Sequence, residues 1–166
     1  MSSYTYRPIP TDVLAELRET DDAGRHRDPY VDDEGGAPLR CCLRRSVPGE
    51  KITLVSYAPL RRWAKQADAD PGAYDEVGPV FVHADPCDGP ADGFPAEVLS
   101  ARRVFRAYGS DGHILGGSLV SPVAEHAETV AEAALDDLFA DPAVAVVHIR
   151  AVEFGCFHAA VTRPTS

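Results

Sequence analysis

The segment Val147-His148-Ile149-Arg150-Ala151-Val152-Glu153-Phe154-Gly155-Cys156-Phe157-His158 carries two imidazoles, a guanidinium, a carboxylate and a thiol within twelve residues. A thiol beside an arginine and an imidazole has a lowered pKa and becomes nucleophilic. A pair of histidines serves as acid and base near neutral pH. The ordinary alternative is a strand pair with a small core cysteine and half-exposed, hydrogen-bonded histidines.

Alternation along this stretch sets the expected geometry. Ala145, Val147 and Ile149 form an apolar row, and Val146, His148 and Arg150 form the opposite one. If Ala151 to Gly155 is the loop, Phe157, Ala159 and Val161 continue the apolar row. Arg150 then faces Cys156 and His148 faces His158, unless a bulge shifts the pairing. His148, Cys156 and His158 are the candidate catalytic residues. Arg106 and Tyr108 share a strand face suited to an anionic or carboxylate ligand. With Cys42, His83 and Arg150 they complete the candidate binding set.

Metal chemistry rests on a thinner pattern. His83 and Cys87 have HxxxC spacing, and His148, Cys156 or His158 would have to supply the remaining ligands. Strong zinc signatures repeat a CxxC-type pair, and this chain has none. Cys41 and Cys42 are adjacent on an expected strand and so point to opposite faces. No metal ligand set is therefore assigned, no cofactor is implied, and the chain is expected to fold without metal.

The elements that must position these residues follow from pattern. Tyr4 to Pro10 starts as an edge strand, and residues 11–20 form a short helix with Val13, Leu14 and Leu17 on one face. Residues 19–38 are charged and Gly/Pro-rich, which predicts a flexible surface loop. Residues 39–57 read as a hairpin about a type II turn at Pro48-Gly49, with Leu39, Cys41, Leu43, Ile52 and Leu54 on its apolar face. Residues 58–76 read as loop. Gly78-Pro79 opens a strand, and residues 96–101 give one or two helical turns. Residues 102–120 form a hairpin about Ser110-Asp111-Gly112, with Gly116-Gly117 marking a bulge or a close approach. A helix starting at Ser121-Pro122 carries the stripe Ala127, Val130, Ala131, Ala134, Leu135 and Leu138 and ends at Asp141-Pro142. The fold class is α+β: a mainly antiparallel sheet of hairpins, one long amphipathic helix packed on one face, and a short N-terminal helix, in a single domain over residues 1–166.

Composition narrows the function classes. The chain has 166 residues, 45% hydrophobic, enough for a core without disulfides. With 26 acidic against 16 basic residues its net charge is -10, which disfavours nucleic acid and anionic membrane surfaces. No signal-peptide pattern opens it and no apolar run spans a bilayer, so a cytoplasmic location with four reduced cysteines is expected.

The stretches LRCCLRRSVPGEKITLVSYAP, YDEVGPVFVHADPC, VFRAYGSDG and VAVVHIRAVEFGCF together resemble a bacterial domain-of-unknown-function family, family number 1203. The resemblance falls on Cys42, Gly49, Tyr74, Gly78, Pro79, Phe81, His83, Cys87, Arg106, Tyr108, His148, Gly155 and Cys156. It covers most of residues 38–163. The chain departs from the pattern where Leu43 stands in place of an arginine after Cys42, and where Gly109-Ser110 adds a residue before Asp111. The resemblance implies a fold and a site location but no activity. The leading expectation is a small cytosolic protein with a polar His/Cys/Arg/Tyr pocket, an accessory biosynthetic enzyme using acid–base or thiol chemistry on a small polar substrate. A non-catalytic ligand- or partner-binding module and a metal-binding protein stand beside it. The sequence leaves the oligomeric state open.

Overall fold

A computed structural model describes residues 3–122 and 124–164 of the chain. It is an α+β structure with two antiparallel sheets. The elements run β1 (Tyr6–Arg7), α1 (Thr11–Glu19), β2 (Tyr30–Asp32), β3 (Glu50–Tyr57), α2 (Pro59–Gln66), β4 (Gly78–His83), α3 (Ala96–Leu99), β5 (Arg103–Gly109), β6 (Ile114–Val120), α4 (Ala127–Phe139), β7 (Val144–Ala151) and β8 (Phe157–Thr162). The larger sheet has the order β1-β8-β7-β5-β6, and the smaller β2-β3-β4.

Helix α4 covers one face of the larger sheet. Its residues Ala131, Leu135 and Phe139 are buried against Phe105, Ala107, Val147, Ile149, Ala159 and Val161, and Ala127 in its first turn is buried as well. This is the predicted stripe, with Val130, Ala134 and Leu138 at its flank. The α-helix itself starts at Ala127, after a 3-10 turn over Ala124–His126. Its predicted start at Ser121-Pro122 therefore lies too early. The opposite sheet face is covered by α1, α2 and the smaller sheet. Phe157 joins Val13, Leu14, Leu17, Val55, Tyr57, Val80 and Val82 in a second core cluster, and Leu60 packs with Tyr108 and Val146 in a third.

Two turns form as their residues require. Gly49 takes φ 93° after Pro48, and Glu50 N–H donates to Val47 O at 3.2 Å, closing the β3 entry. Gly112 takes φ 84° in the β5–β6 turn. The β5–β6 register shifts between Ala107↔Gly116 and Tyr108↔Ile114, a bulge beside the glycine pair.

Four expectations are corrected. Residues 39–45 are not a strand. Leu43 has φ 55°, its N–H donates to Leu39 O at 3.0 Å, and Leu39 N–H donates to Arg44 O at 2.9 Å, so the segment is a tight loop. On β3 the apolar face is also different: Thr53, Val55 and Tyr57 are buried while Leu54 is 41% exposed. Residues 59–66 form α2 because Pro59 suits a first helical position and Leu60 and Ala64 share one buried face. The region 19–38, expected to be a loop, contains β2. Inside the 19–38 segment Asp21 is buried. Its carboxylate accepts N–H bonds from Ala23, Arg25 and Ser56 at 3.0 Å each, and pairs with Arg27 at 2.7 Å.

Candidate metal centre and neighbouring cavities

The loop at residues 39–45 lies against β4, where Leu39 bridges Phe81 and Arg40 N–H donates to Phe81 O at 2.9 Å. That contact brings Cys41 and Cys42 beside His83, the last residue of β4. Arg18, in the last turn of α1, holds the exit from the strand by donating to His83 O at 3.0 Å and Asp85 O at 3.2 Å. The chain then returns through residues 84–87 and delivers Cys87. The ligand atoms of Cys41, Cys42, His83 and Cys87 all lie within 4.8 Å of one another.

The distances inside this group suit one small cation. A tetrahedral Zn²⁺, with Zn–S about 2.3 Å and Zn–N about 2.0 Å, separates its ligand atoms by about 3.8 Å for S–S and about 3.5 Å for S–N. Here Cys41 Sγ and Cys42 Sγ are 3.9 Å apart, and His83 Nδ1 lies 3.3 Å from Cys41 Sγ and 3.8 Å from Cys42 Sγ.

The surrounding donors favour thiolates. His83 N–H donates to Cys41 Sγ at 3.2 Å. The backbone N–H groups of Arg44 and Gly89 act in the same sense on Cys42 and Cys87. The Cys42 thiol is held below its ordinary value, chiefly by its hydrogen bond with Cys41, while the same bond and burial push Cys41 up. Burial raises Cys87.

The far side of the imidazole is also fixed. His83 Nε2 lies 2.8 Å from Glu50 Oε2, and Arg44 grips the same carboxylate with bonds of 2.9 and 2.8 Å. Those bonds, with Val47 N–H, hold the Glu50 carboxyl well below the usual carboxylate range. An ionised Glu50 carboxylate only accepts, so in its contact with Glu50 the imidazole donates from Nε2, and Nδ1 is the ring nitrogen that faces the sulfurs. A carboxylate behind a ligating imidazole is the arrangement that orients metal-bound histidines. Cys42, His83 and Cys87 form part of the wall of an open cleft of about 690 Å³, which Asp88, Asp92 and Glu97 also line.

Sequence reasoning singled out His83, Cys87 and Cys42 but set Cys41 and Cys42 on opposite strand faces. The loop at Leu43 overturns that, because backbone that is not extended does not alternate. The HxxxC pair was a usable signal; the missing one was tertiary, the contact of the Cys-Cys loop with β4.

The opening segment is arranged differently from its expected register. Ile149 pairs with Ala159 and Arg150 with Phe157, leaving His158 as the extra residue of a bulge. His148 consequently faces Ala160, and the pairings His148–His158 and Arg150–Cys156 do not form. Phe157 leaves the apolar row and lies against the His148 ring at 5.2 Å, with Tyr108 at 5.0 Å on another side. His148 is 1% exposed, and among the described residues its Nδ1 has no hydrogen-bond partner. Burial, reinforced by Arg150 and Arg106, pushes its pKa down to about 3.

Apart from Cys42 and His83, the predicted residues are distributed over three further cavities. His148 lines one of about 330 Å³ with Tyr57, Trp63 and Phe157. Arg106, Arg150 and Cys156 line a second of about 380 Å³, where both guanidiniums bond Glu76, at 3.2 and 2.7 Å. His158 and Cys156 line a third, of about 850 Å³, between the two sheets. Tyr108 shares the sheet face of Arg106 as expected, and that of His148 through the pairing of β5 with β7, but it is buried.

Among the described residues no helix is long and apolar enough to cross a membrane. A family model described as "Protein of unknown function (DUF1203)" matches residues 36–163. No curated protein and no solved structure matches the chain.

Proposed function

The chain belongs to the DUF1203 family, and from that premise we propose that it is a metal-binding protein whose Cys41, Cys42, His83 and Cys87 hold one thiophilic divalent cation, Zn²⁺ in the first instance. The observation that carries this reading is His83: its Nδ1 faces two thiols at bonding separation from a common ion while Glu50 holds its Nε2. Three sulfurs and one imidazole complete a tetrahedral shell, the form of a structural site. The ion ties the 39–45 loop and the segment after β4 to the smaller sheet. It also forms part of the wall of the acidic cleft. Thiols in this number require a reducing compartment to stay available.

The test is metal content and Co²⁺ substitution of the full chain. One equivalent of Co²⁺ is expected to give sulfur-to-metal charge-transfer bands and tetrahedral d–d bands, displaced by Zn²⁺. Cys87→Ser and Cys41→Ser should lose the bands, and Cys156→Ser should keep them. Absence of a saturable Co²⁺ spectrum in reduced protein would reject the reading.

A second reading rests on the cavity lined by Arg106, Arg150 and Cys156. Two guanidiniums beside a half-buried thiol suit a small anionic or polar ligand, with or without thiol chemistry on it. Protection of Cys156 from alkylation by small carboxylates would support it.

A further inference from the structure

The largest of the three neighbouring cavities, about 850 Å³, opens between the end of the larger sheet and strands β3 and β4. It is separate from the sulfur cluster: none of the four metal-ligand candidates lines it. Its wall has two distinct parts.

One part is apolar. Leu54 and Phe154 stand 41% and 84% exposed, and Phe81 is half-buried beside them. Leu54 is the β3 residue that the hydrophobic pattern assigned to the core. Leaving it against an open cavity has a solvation cost that an apolar occupant would remove.

The other part is cationic. Arg40 and Arg103 are 3% and 6% exposed, and Arg45 is half-buried between them and solvent. Among the described residues none of the three forms a salt bridge; Glu153 lines the same cavity and attracts Arg103, and the Arg45 backbone N–H donates to Glu97 Oε1 at 3.3 Å. Arg40 donates only to Phe157 O and Pro38 O, Arg103 only to Val98 O and Arg102 O, and the Arg45 side chain to Glu97 O and Gly36 O. Carbonyl dipoles solvate a guanidinium but do not neutralise it, and buried charges are ordinarily paired. Among the described residues Arg40 Nη2 makes no hydrogen bond, while Nε donates to Phe157 O and Nη1 to Pro38 O. Burial together with the three arginines pushes His158 down to about 2. In a chain of net charge -10, such a group of unpaired buried cations stands out.

We propose that this cavity binds a small amphipathic carboxylate, its head group on Arg40 and Arg103 beside His158 and its hydrocarbon body against Leu54, Phe81 and Phe154. A carboxylate supplies the missing counter-charge and matches the planar fork of a guanidinium. His158, neutral in this field, offers a hydrogen bond without adding charge. A volume of this size is that of ordinary small-molecule sites.

The test is calorimetric titration of the full chain with decanoate, run beside decanol and decyltrimethylammonium. Decanoate is expected to bind once per chain and at least about tenfold more tightly than either control. Leu54→Glu, at a partly exposed position, should weaken decanoate by about tenfold or more while leaving the unfolding midpoint in place. Arg103→Gln should narrow the preference for decanoate over decanol. Equal binding of the three probes, no saturable binding, or full affinity in Leu54→Glu would each overturn the proposal. Because Leu54 is partly exposed and its variant alone can overturn the proposal, the result does not depend on the arginine variant folding.

Discussion

Glu50 Oε2 lies 2.8 Å from His83 Nε2, and this one contact turns the other imidazole nitrogen toward Cys41 and Cys42. Glu50 and His83 lie 33 residues apart in sequence. They meet because β3 and β4 pair with Ile52 opposite His83. The ionised carboxylate makes the imidazole a better ligand and removes its rotational freedom before any ion arrives.

Replacing Glu50 by Gln should therefore weaken Co²⁺ or Zn²⁺ affinity about 10- to 100-fold without removing a ligand. Competition against a chromophoric chelator measures this. An affinity equal to wild type would remove Glu50 from the metal site.

Chelation should leave the larger sheet folded, since its core is built from Phe105, Val147, Ile149, Leu135 and Val161 without the cysteines. The far-UV circular dichroism spectrum is expected to persist. Limited proteolysis should instead open the chain within residues 84–95, the segment that the ion would fasten. Global unfolding on chelation would contradict this division.

Leu135 is fully buried under α4. Leu135→Ala is expected to cost about 2–5 kcal/mol, the range for a large-to-small core substitution. A urea midpoint unchanged from wild type would place α4 outside the core.

Stability should fall on mild acidification. His148 and His158 have folded values of about 3 and about 2, below the ordinary 6.5. A lowered histidine value means the unfolded chain binds the proton first. The contribution is complete above pH 6.5 and is lost as pH falls toward 3, with a limiting slope of about 1.4 kcal/mol per pH unit for each histidine. His148→Phe, which keeps a ring against Tyr108 and Phe157, should reduce the slope by about half between pH 4 and 6. Urea titrations across that range decide it, and an unaltered slope would exclude His148 as a buried neutral group.

Asp21 concentrates three backbone N–H bonds and an arginine on one buried carboxylate. Asp21→Ala leaves those donors unsatisfied and should destabilise the chain by about 2 kcal/mol or more. Thermal melts of the variant test this directly, and an unchanged melting temperature would refute it.

Sequence alone determined what depends on near neighbours. The α4 stripe was legible because 3.6-residue periodicity puts Ala127, Ala131 and Leu135 on one side whatever lies opposite. The turns at Pro48-Gly49 and Asp111-Gly112 were legible because proline and glycine restrict backbone angles locally. The shared face of Arg106 and Tyr108 followed from alternation, while the pairing of β5 with β7, which adds His148 to that face, came only with the fold. Tertiary structure decided the rest. Leu43 enters the left-handed region in a loop pinned by Phe81, and that alone converges two thiols that strand alternation would have parted. The bulge at His158 moved Phe157 onto His148 and sent His158 toward Arg40 and Arg103. No local pattern announces either event, because each is set by which surface the segment packs against. The candidate metal centre was thus half visible, in His83 and Cys87. It was completed by a contact between chain segments some forty residues apart.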